Sequence, residues 1–106
     1  DDRKMRELDQ GFKFTQSGNA EILAAWLELV VKNDHAPAFG ALEDFLTHVG
    51  RRKFLLPLYS EMIKTPKGRT MAMKIYKKAR PNYHAVSVRT IDVLLGWKEH
   101  ASPVNF

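Results

Sequence analysis

The chain contains no cysteine, and this absence excludes disulfide bonds, thiolate catalysis and thiolate zinc sites. Proline and glycine are sparse, with five and six residues, so the composition does not favour a disordered chain. The longest uncharged apolar stretch covers only residues 22–27, far short of the roughly 18 residues that a membrane span needs. We therefore expect no membrane segment, and the missing cysteine weakly favours a reducing, cytoplasmic location.

The residues that are present describe one globular domain. Hydrophobic residues make up 44% of the 106 residues and charged residues 27%, and domains usually hold about 100 to 200 residues. We expect residues 1–106 to form a single domain around one core. The chain starts with Asp1-Asp2-Arg3-Lys4, without Met or the apolar segment of a signal peptide, so we interpret it as a domain cut from a larger protein.

Apolar residues recur at the spacing of helices along most of the chain. The clearest helix follows Asn19, a candidate N-cap, with apolar side chains at i, i+1, i+4, i+5, i+8 and i+9 from Ile22 onward. Further stripes predict helices over residues 37–49, 51–63, 71–79 and 86–95. The predicted fold class is all-α, with five or six short helices as antiparallel neighbours in a bundle or a short helical solenoid.

Glycine and proline refine the predicted helix ends. Pro37 suits the first turn of the second helix, and Gly50 suits the C′ position after it and a tight turn into the third. Pro57 removes one backbone hydrogen bond from the third helix, so it lies in the first turn or kinks the helix. Gly96 is expected to end the last helix.

Charge is distributed unevenly, although the formal net charge is only +5. Residues 1–49 hold five Lys or Arg and nine Asp or Glu, whereas residues 50–80 hold ten basic residues and one acidic residue. Three interpretations of the basic segment 50–80 compete. Its cations form a solvated face paired with the acidic half, or bind an acidic protein or RNA, or recognise a small carboxylate. Nucleic acid is disfavoured, because Tyr76 and Tyr83 are the only aromatic residues near the cations of residues 64–78.

The run Gly50-Arg51-Arg52-Lys53-Phe54 places three cations at an expected helix N-terminus. The helix dipole disfavours each cation there by about 0.3–1 kcal/mol, so stability alone does not favour this placement. Free N–H groups and convergent Arg and Lys side chains suit a carboxylate or phosphate. Arg51 and Lys53 share a ligand only if Arg51 precedes the helix and Lys53 lies in its first turn. An exposed basic helix start without a ligand explains the same residues.

Catalytic motifs are missing from the sequence. A zinc peptidase needs two His four residues apart with a Glu between them, and no such HExxH run occurs. His35, His48, His84 and His100 lie far apart, so we interpret each as a surface or capping histidine. Neither a Gly-x-Ser-x-Gly turn nor a phosphate-binding glycine loop is present. We expect no metal site and no enzymatic activity from this chain alone.

Four runs of residues carry a family resemblance: Leu8-Asp9 with Phe12 and Phe14, Thr15 to Ile22 leading to Trp26, Gly50 to Phe54 followed by Pro57-Leu58-Tyr59, and Tyr83 to Ser87. With these runs the chain resembles, nearly end to end, the C-terminal helical domain of zinc aminopeptidases of the leukotriene A4 hydrolase and aminopeptidase B type. The run Gly-Arg-x-Lys-Phe-x-x-Pro-Leu is the most specific. At residues 84–87 relatives usually have His-Pro-Val-Thr, whereas this chain has His-Ala-Val-Ser.

The resemblance implies a right-handed superhelix of short antiparallel helix pairs, similar to armadillo and HEAT repeats, that packs on the catalytic domain of the same polypeptide. It implies that Arg51 and Lys53 bind the substrate carboxylate, the C-terminus of a short peptide, with Gly50, Arg52 and Phe54 in support. Zinc and its ligands are expected in the catalytic domain, and no cofactor in this chain. The alternative is a free-standing helical-repeat scaffold that binds an acidic protein or RNA through residues 64–80.

Overall fold

The computed structural model describes residues 2–12 and 19–97, and this part of the chain forms six α-helices and no strand. The helices are α1 (Asp2–Phe12), α2 (Ala20–Lys32), α3 (Phe39–His48), α4 (Arg52–Met62), α5 (Pro66–Ala79) and α6 (Ala85–Leu95). Short 3₁₀ turns at Ala36–Ala38 and Arg80–Asn82 precede α3 and follow α5. The predicted all-α class is confirmed.

The helices from α2 onward alternate between two layers. Helix α4 packs against both α2 and α6, so these three helices form one layer. Helices α3 and α5 pack against each other in the second layer, and α5 also contacts α4. This alternation is the arrangement that stacked helix pairs require. The right-handed superhelix stays a prediction.

One hydrophobic cluster receives side chains from all six of these helices. Most of its members belong to the apolar stripes that the sequence predicts, whereas Met5 comes from α1, for which the sequence predicts no stripe. Fully buried examples are Leu27 of α2, Leu42 of α3, Leu55 of α4, Ile75 of α5 and Ile91 of α6. Each such side chain stabilises the folded state by about 1.5–3 kcal/mol relative to an exposed position.

Local sequence explains where several helices begin and end. The Asn19 side chain accepts hydrogen bonds from the backbone N–H groups of Glu21 and Ile22, at 2.9 and 3.1 Å, so the predicted N-cap is confirmed. Thr65 caps α5 in the same way. Gly96 ends α6 as expected, with a φ of 64° that glycine adopts without strain.

Other helix ends differ in part from the sequence prediction. Pro37 lies in the 3₁₀ turn before α3, not in the first turn of α3. Gly50 occupies the predicted C′ position after the C-cap Val49, but it is not left-handed, because the chain leaves α3 through an extended Val49. Of the two alternatives for Pro57, the first turn is wrong: Pro57 lies inside α4, which therefore lacks the backbone hydrogen bond that residue 57 would donate. The kink stays a prediction.

The expectation of a surface position is wrong for His35, which is only 2% exposed. His35 is the N-cap residue of the 3₁₀ turn Ala36–Ala38, but its side chain makes no capping hydrogen bond. The chain turns back at Asp34, whose φ is 51°, and this turn brings His35 against α2. The imidazole contacts the Trp26 ring edge-to-face, with 6.4 Å between the ring centroids. A histidine beside a helix end can therefore belong to the core when the turn folds it inward.

The other three histidines lie near helix ends or beyond the described residues. His48 is exposed in the last turn of α3, where its Nδ1 lies 2.8 Å from the Asp44 carbonyl, as expected of a capping histidine. His84 is exposed and precedes α6. His100 lies outside the described residues.

Candidate anion-binding groove

Two helix N-termini meet in one open groove of about 540 Å³. Residues 50–53 at the start of α4 and residues 84–87 at the start of α6 line this groove, and none of these eight is acidic. Neither helix has a side chain that caps its N-terminus or an acidic residue in its first turn. The partial positive charges of two helix dipoles therefore lie beside the same groove.

Ser87 joins the two sides of the groove. The Ser87 Oγ donates a hydrogen bond of 2.9 Å to the carbonyl oxygen of Gly50, and Ser87 is only 3% exposed. This bond fixes the start of α6 relative to the residue that precedes Arg51. A Cβ on Gly50 would lie 3.7 Å from the Tyr83 ring, an ordinary contact, so the available space does not require glycine there.

Buried tyrosines support the groove from the core. The Tyr83 hydroxyl donates to the Leu46 carbonyl and lies 3.1 Å from the Tyr59 hydroxyl. Burial raises the pKa of Tyr83 to about 12 and raises the pKa of Tyr59 as well, so both phenols stay neutral at physiological pH. Because Tyr83 directly precedes His84, this network anchors one side of the groove to α3 and α4.

Arg51 and Lys53 meet the geometric condition for a shared ligand. Arg51 is the N-cap residue of α4, in an extended conformation with φ of −77° and ψ of 125°, and Lys53 lies in the first turn. Both side chains are exposed. Among the described residues, the Arg51 guanidinium has no hydrogen-bond or ion-pair partner.

The three expected supporting residues have different positions. Gly50 contributes the carbonyl that Ser87 binds, and Arg52 lines the groove as an exposed cation. Phe54 is 8% exposed and packs edge-to-face against Phe45, with 6.0 Å between ring centroids. Phe54 therefore anchors the start of α4 in the core, whereas Arg52 remains at the surface.

Lys53 has a carboxylate partner that sequence reasoning did not place at the site. Its Nζ lies 3.0 Å from Oε2 of Glu21, which is in the first turn of α2. The hydrogen bond from Lys53 and its positive charge hold the pKa of Glu21 below the ordinary 4.5, and the charge of Arg51 acts in the same direction. Glu21 is therefore ionised at neutral pH.

Sequence reasoning also did not assign residues 84–87 to the groove. The signal for them is the Tyr83 to Ser87 run, one of the four runs that carry the family resemblance. For Glu21 the only signal is the charge pattern, which predicts pairing between the two halves of the chain without naming partners. Glu21 and residues 84–87 both lie near the start of α4 because α4 packs between α2 and α6.

Ion pairs with the acidic half account for part of the basic segment 50–80. Three lysines of this segment pair with carboxylates of residues 1–49: Lys53 with Glu21, Lys67 with Asp34 and Lys78 with Glu43. The interpretation as a solvated, paired face holds for these three. In the described part of the chain, Arg51, Arg52, Lys74 and Lys77 have no such pair.

The described residues offer neither a metal centre nor a membrane-crossing helix. No three His, Cys, Asp or Glu side chains of residues 2–12 and 19–97 gather as a metal ion requires. A zinc ion therefore does not fit the described part of this chain. Within the same residues, no helix combines the length and the apolar character that a membrane crossing demands.

Comparisons of sequence match the chain to known proteins. The family model described as "Leukotriene A4 hydrolase, C-terminal" matches residues 1–95. Leucine aminopeptidase 2 of Neurospora crassa is 32% identical over 95 residues, which cover 90% of this chain and 14% of that protein. Aminopeptidase B of Rattus norvegicus is 31% identical over 87 residues, covering 81% of this chain and 13% of that protein. The chain thus spans about a seventh of the length of these curated relatives.

Proposed function

The chain belongs to the leukotriene A4 hydrolase C-terminal domain family, and from this membership we propose that it is the non-catalytic C-terminal domain of a zinc aminopeptidase. In this proposal the domain packs on the catalytic domain of the same polypeptide and binds the carboxylate of short peptide substrates through Arg51 and Lys53. Zinc and the reacting groups belong to the catalytic domain. The carboxylate-binding part of the proposal rests on one observation, the groove where Arg51, Lys53 and two helix N-termini meet.

The charges of the groove suit a carboxylate. An arginine binds a carboxylate through two parallel N–H···O hydrogen bonds, and a lysine adds a compact positive charge. The uncapped starts of α4 and α6 add partial positive charges on the same side. Since the groove has no acidic lining residue, an incoming anion meets no repulsion from the lining itself.

Positioning is the role of this site in the proposed enzyme. A clamp on the C-terminus of a short peptide fixes the other end of the peptide relative to the catalytic domain. Holding the reacting bond in place removes part of the entropic barrier and raises its effective concentration. Substrates with a free carboxylate are therefore favoured over substrates that lack one.

Arg51→Ala in the full-length enzyme tests this role. For a tripeptide with a free C-terminus, kcat/KM is expected to fall about 30- to 150-fold, equivalent to about 2–3 kcal/mol for a lost charged hydrogen bond. The C-terminally amidated tripeptide is expected to lose little. Arg89→Ala is the matched control, because Arg89 is an exposed arginine of α6 that does not line the groove. An equal loss of kcat/KM for the free-acid and the amidated tripeptide, or no loss for either, would contradict the clamp.

The second candidate is a free-standing scaffold that binds an acidic protein or RNA through residues 64–80. One observation favours it: Lys74 and Lys77 are exposed on α5 and form no ion pair with any described residue. A broad basic face predicts binding that weakens steeply with salt, whereas a two-residue clamp predicts a shallow, ligand-specific response.

A further inference from the structure

Glu21 brings a carboxylate of the chain itself to the proposed clamp. Helices α2 and α4 pack side by side, so the first turn of α2 lies beside the first turn of α4 and Glu21 Oε2 lies 3.0 Å from Lys53 Nζ. The Asn19 cap accepts a hydrogen bond from the Glu21 backbone N–H and fixes the start of α2. The protein therefore already holds one carboxylate at Lys53.

The field of Arg51 also reaches this carboxylate. Lys53 is the main cause of the lowered pKa of Glu21, and the positive charge of Arg51 contributes in the same direction. Glu21 thus experiences the same two cations that the proposed function assigns to the substrate carboxylate. Its negative charge reduces the charge of the group from two units to one, which weakens the attraction for a second carboxylate.

The contact is easily opened. The Lys53 side chain keeps 51% of its surface exposed and the Glu21 side chain 71%. Exposed ion pairs of this kind contribute little to net stability, so the folded state does not depend on the pair. Both side chains are long, and Lys53 can turn from Glu21 towards a ligand without any backbone movement.

We propose that Glu21 is a built-in competitor that occupies Lys53 in the free enzyme and that the substrate carboxylate displaces it. This inference rests on the proposed function, because it concerns the same clamp. Glu21 acts through Lys53 and does not touch the substrate. It raises KM for peptides with a free C-terminus and leaves amidated peptides unaffected, which lowers the preference of the enzyme for the free acid.

Glu21→Gln in the full-length enzyme tests the competition, since it removes the charge and keeps the shape. The expected result is a KM for the free-acid tripeptide that is about two- to fivefold lower, with kcat and the amide kinetics unchanged. Glu28→Gln is the matched control, because Glu28 lies on the same helix but pairs with Lys32. In a Lys53→Met background, Glu21→Gln is expected to have no further effect.

The outcomes separate this inference from the proposed function. Suppose that Glu21→Gln leaves KM for the free acid unchanged or raises it, while Arg51→Ala still lowers kcat/KM for the free acid much more than for the amide. The competition is then wrong and the clamp stands. If Glu28→Gln lowers KM for the free acid as much as Glu21→Gln does, the competition is also overturned, because the effect then reports only the change in net charge. The same holds if Glu21→Gln lowers KM equally for the amidated peptide. If Arg51→Ala affects acid and amide alike, the clamp fails and the role of Glu21 fails with it.

Discussion

At the scale of single residues, Asp92 connects groups that are distant in sequence. Its carboxylate accepts hydrogen bonds from Nε and Nη2 of Arg80, at 2.9 and 2.7 Å, and another from the Tyr76 hydroxyl. The bonds from Arg80, assisted by Tyr76, hold the pKa of Asp92 below the ordinary 3.8 against the effect of partial burial. This pair ties the 3₁₀ turn Arg80–Asn82 to α6, just before the groove.

The lowered pKa of Asp92 predicts acid-dependent stability. Because the folded pKa lies below the unfolded value near 3.8, the stabilisation is present above that value and is lost as pH falls through the folded pKa. Asp92→Asn is expected to reduce the free energy of unfolding by about 1–3 kcal/mol at neutral pH and by less near pH 3. Urea denaturation at both pH values measures the difference.

The exposed Asp44 provides the control for this pH prediction. Its side chain is 77% exposed and its ion pair is with His48 of the same helix. Asp44→Asn is therefore expected to change the free energy of unfolding by less than about 0.5 kcal/mol at either pH. A constant difference between wild type and Asp92→Asn from neutral pH to about pH 3 would show that the charge of Asp92 is not the cause.

Ser87 is the second residue on which the geometry of the groove depends. Ser87→Ala removes the hydrogen bond to the Gly50 carbonyl, so the start of α6 is no longer fixed to the residue before Arg51. In the full-length enzyme, KM for the free-acid tripeptide is expected to rise about three- to tenfold, the effect of about 1 kcal/mol, and to change little for the amide. Ser87→Thr keeps the hydroxyl and should restore the wild-type KM. Failure of that rescue would argue against a role of the hydroxyl.

At the scale of helices, the junction between α4 and α5 depends on a missing side chain. A Cβ on Gly68 would lie 2.0 Å from the Met62 carbonyl oxygen, which is backbone and cannot rotate away. Gly68→Ala must therefore displace the first turn of α5 from the end of α4. The expected loss in the free energy of unfolding is about 2–3 kcal/mol, measured by urea denaturation.

Gly40→Ala tests whether the effect at Gly68 is steric. Gly40 is an exposed residue of α3, and a Cβ there would meet nothing within 4 Å. Alanine favours the helix over glycine by about 0.5–1 kcal/mol, so Gly40→Ala is expected to be neutral or stabilising. Equal destabilisation by both substitutions would refute the steric explanation.

Helical periodicity predicts the elements better than their ends or their partners. The stripe from Ile22 onward predicts α2 because burial follows a local spacing of 3.6 residues. Gly50 follows the C-cap of α3 as predicted but is not left-handed, because an extended Val49 already turns the chain from α3 into α4. The buried position of His35 depends on a left-handed residue at Asp34, which no apolar pattern reveals.

At the scale of the whole molecule, the two-layer packing assembles the candidate site. Helix α4 is the middle helix of its layer, so α2 brings Glu21 to one side of its N-terminus and α6 brings Ser87 to the other. The bonds from Lys53 to Glu21 and from Ser87 to Gly50 join residues 32 and 37 positions apart. The run of cations at α4 could be predicted from local sequence, but these partners follow from which helices are neighbours.

The charge distribution of the molecule argues against a broad polyanion-binding face. Seven basic residues lie in residues 64–80, and five of them are engaged by carboxylates or a carbonyl: Lys64 by Glu61, Lys67 by Asp34, Arg69 by the Leu95 carbonyl, Lys78 by Glu43 and Arg80 by Asp92. Among the described residues, Lys74 and Lys77 are the two of this set without such a partner.

Two available lysines predict weak, weakly salt-dependent binding of single-stranded RNA. Because each neutralised phosphate contributes about −0.7 to the slope of log K against log salt, two contacts give a slope of about −1.4. Fluorescence anisotropy with a homopolymer RNA over a salt series measures this slope.

In the full-length enzyme, Lys74→Glu with Lys77→Glu is expected to leave kcat/KM for tripeptides within about twofold. A slope steeper than about −4, abolished by these two substitutions, would favour the scaffold over the aminopeptidase domain, since it requires ion pairs of the basic face to open for phosphate.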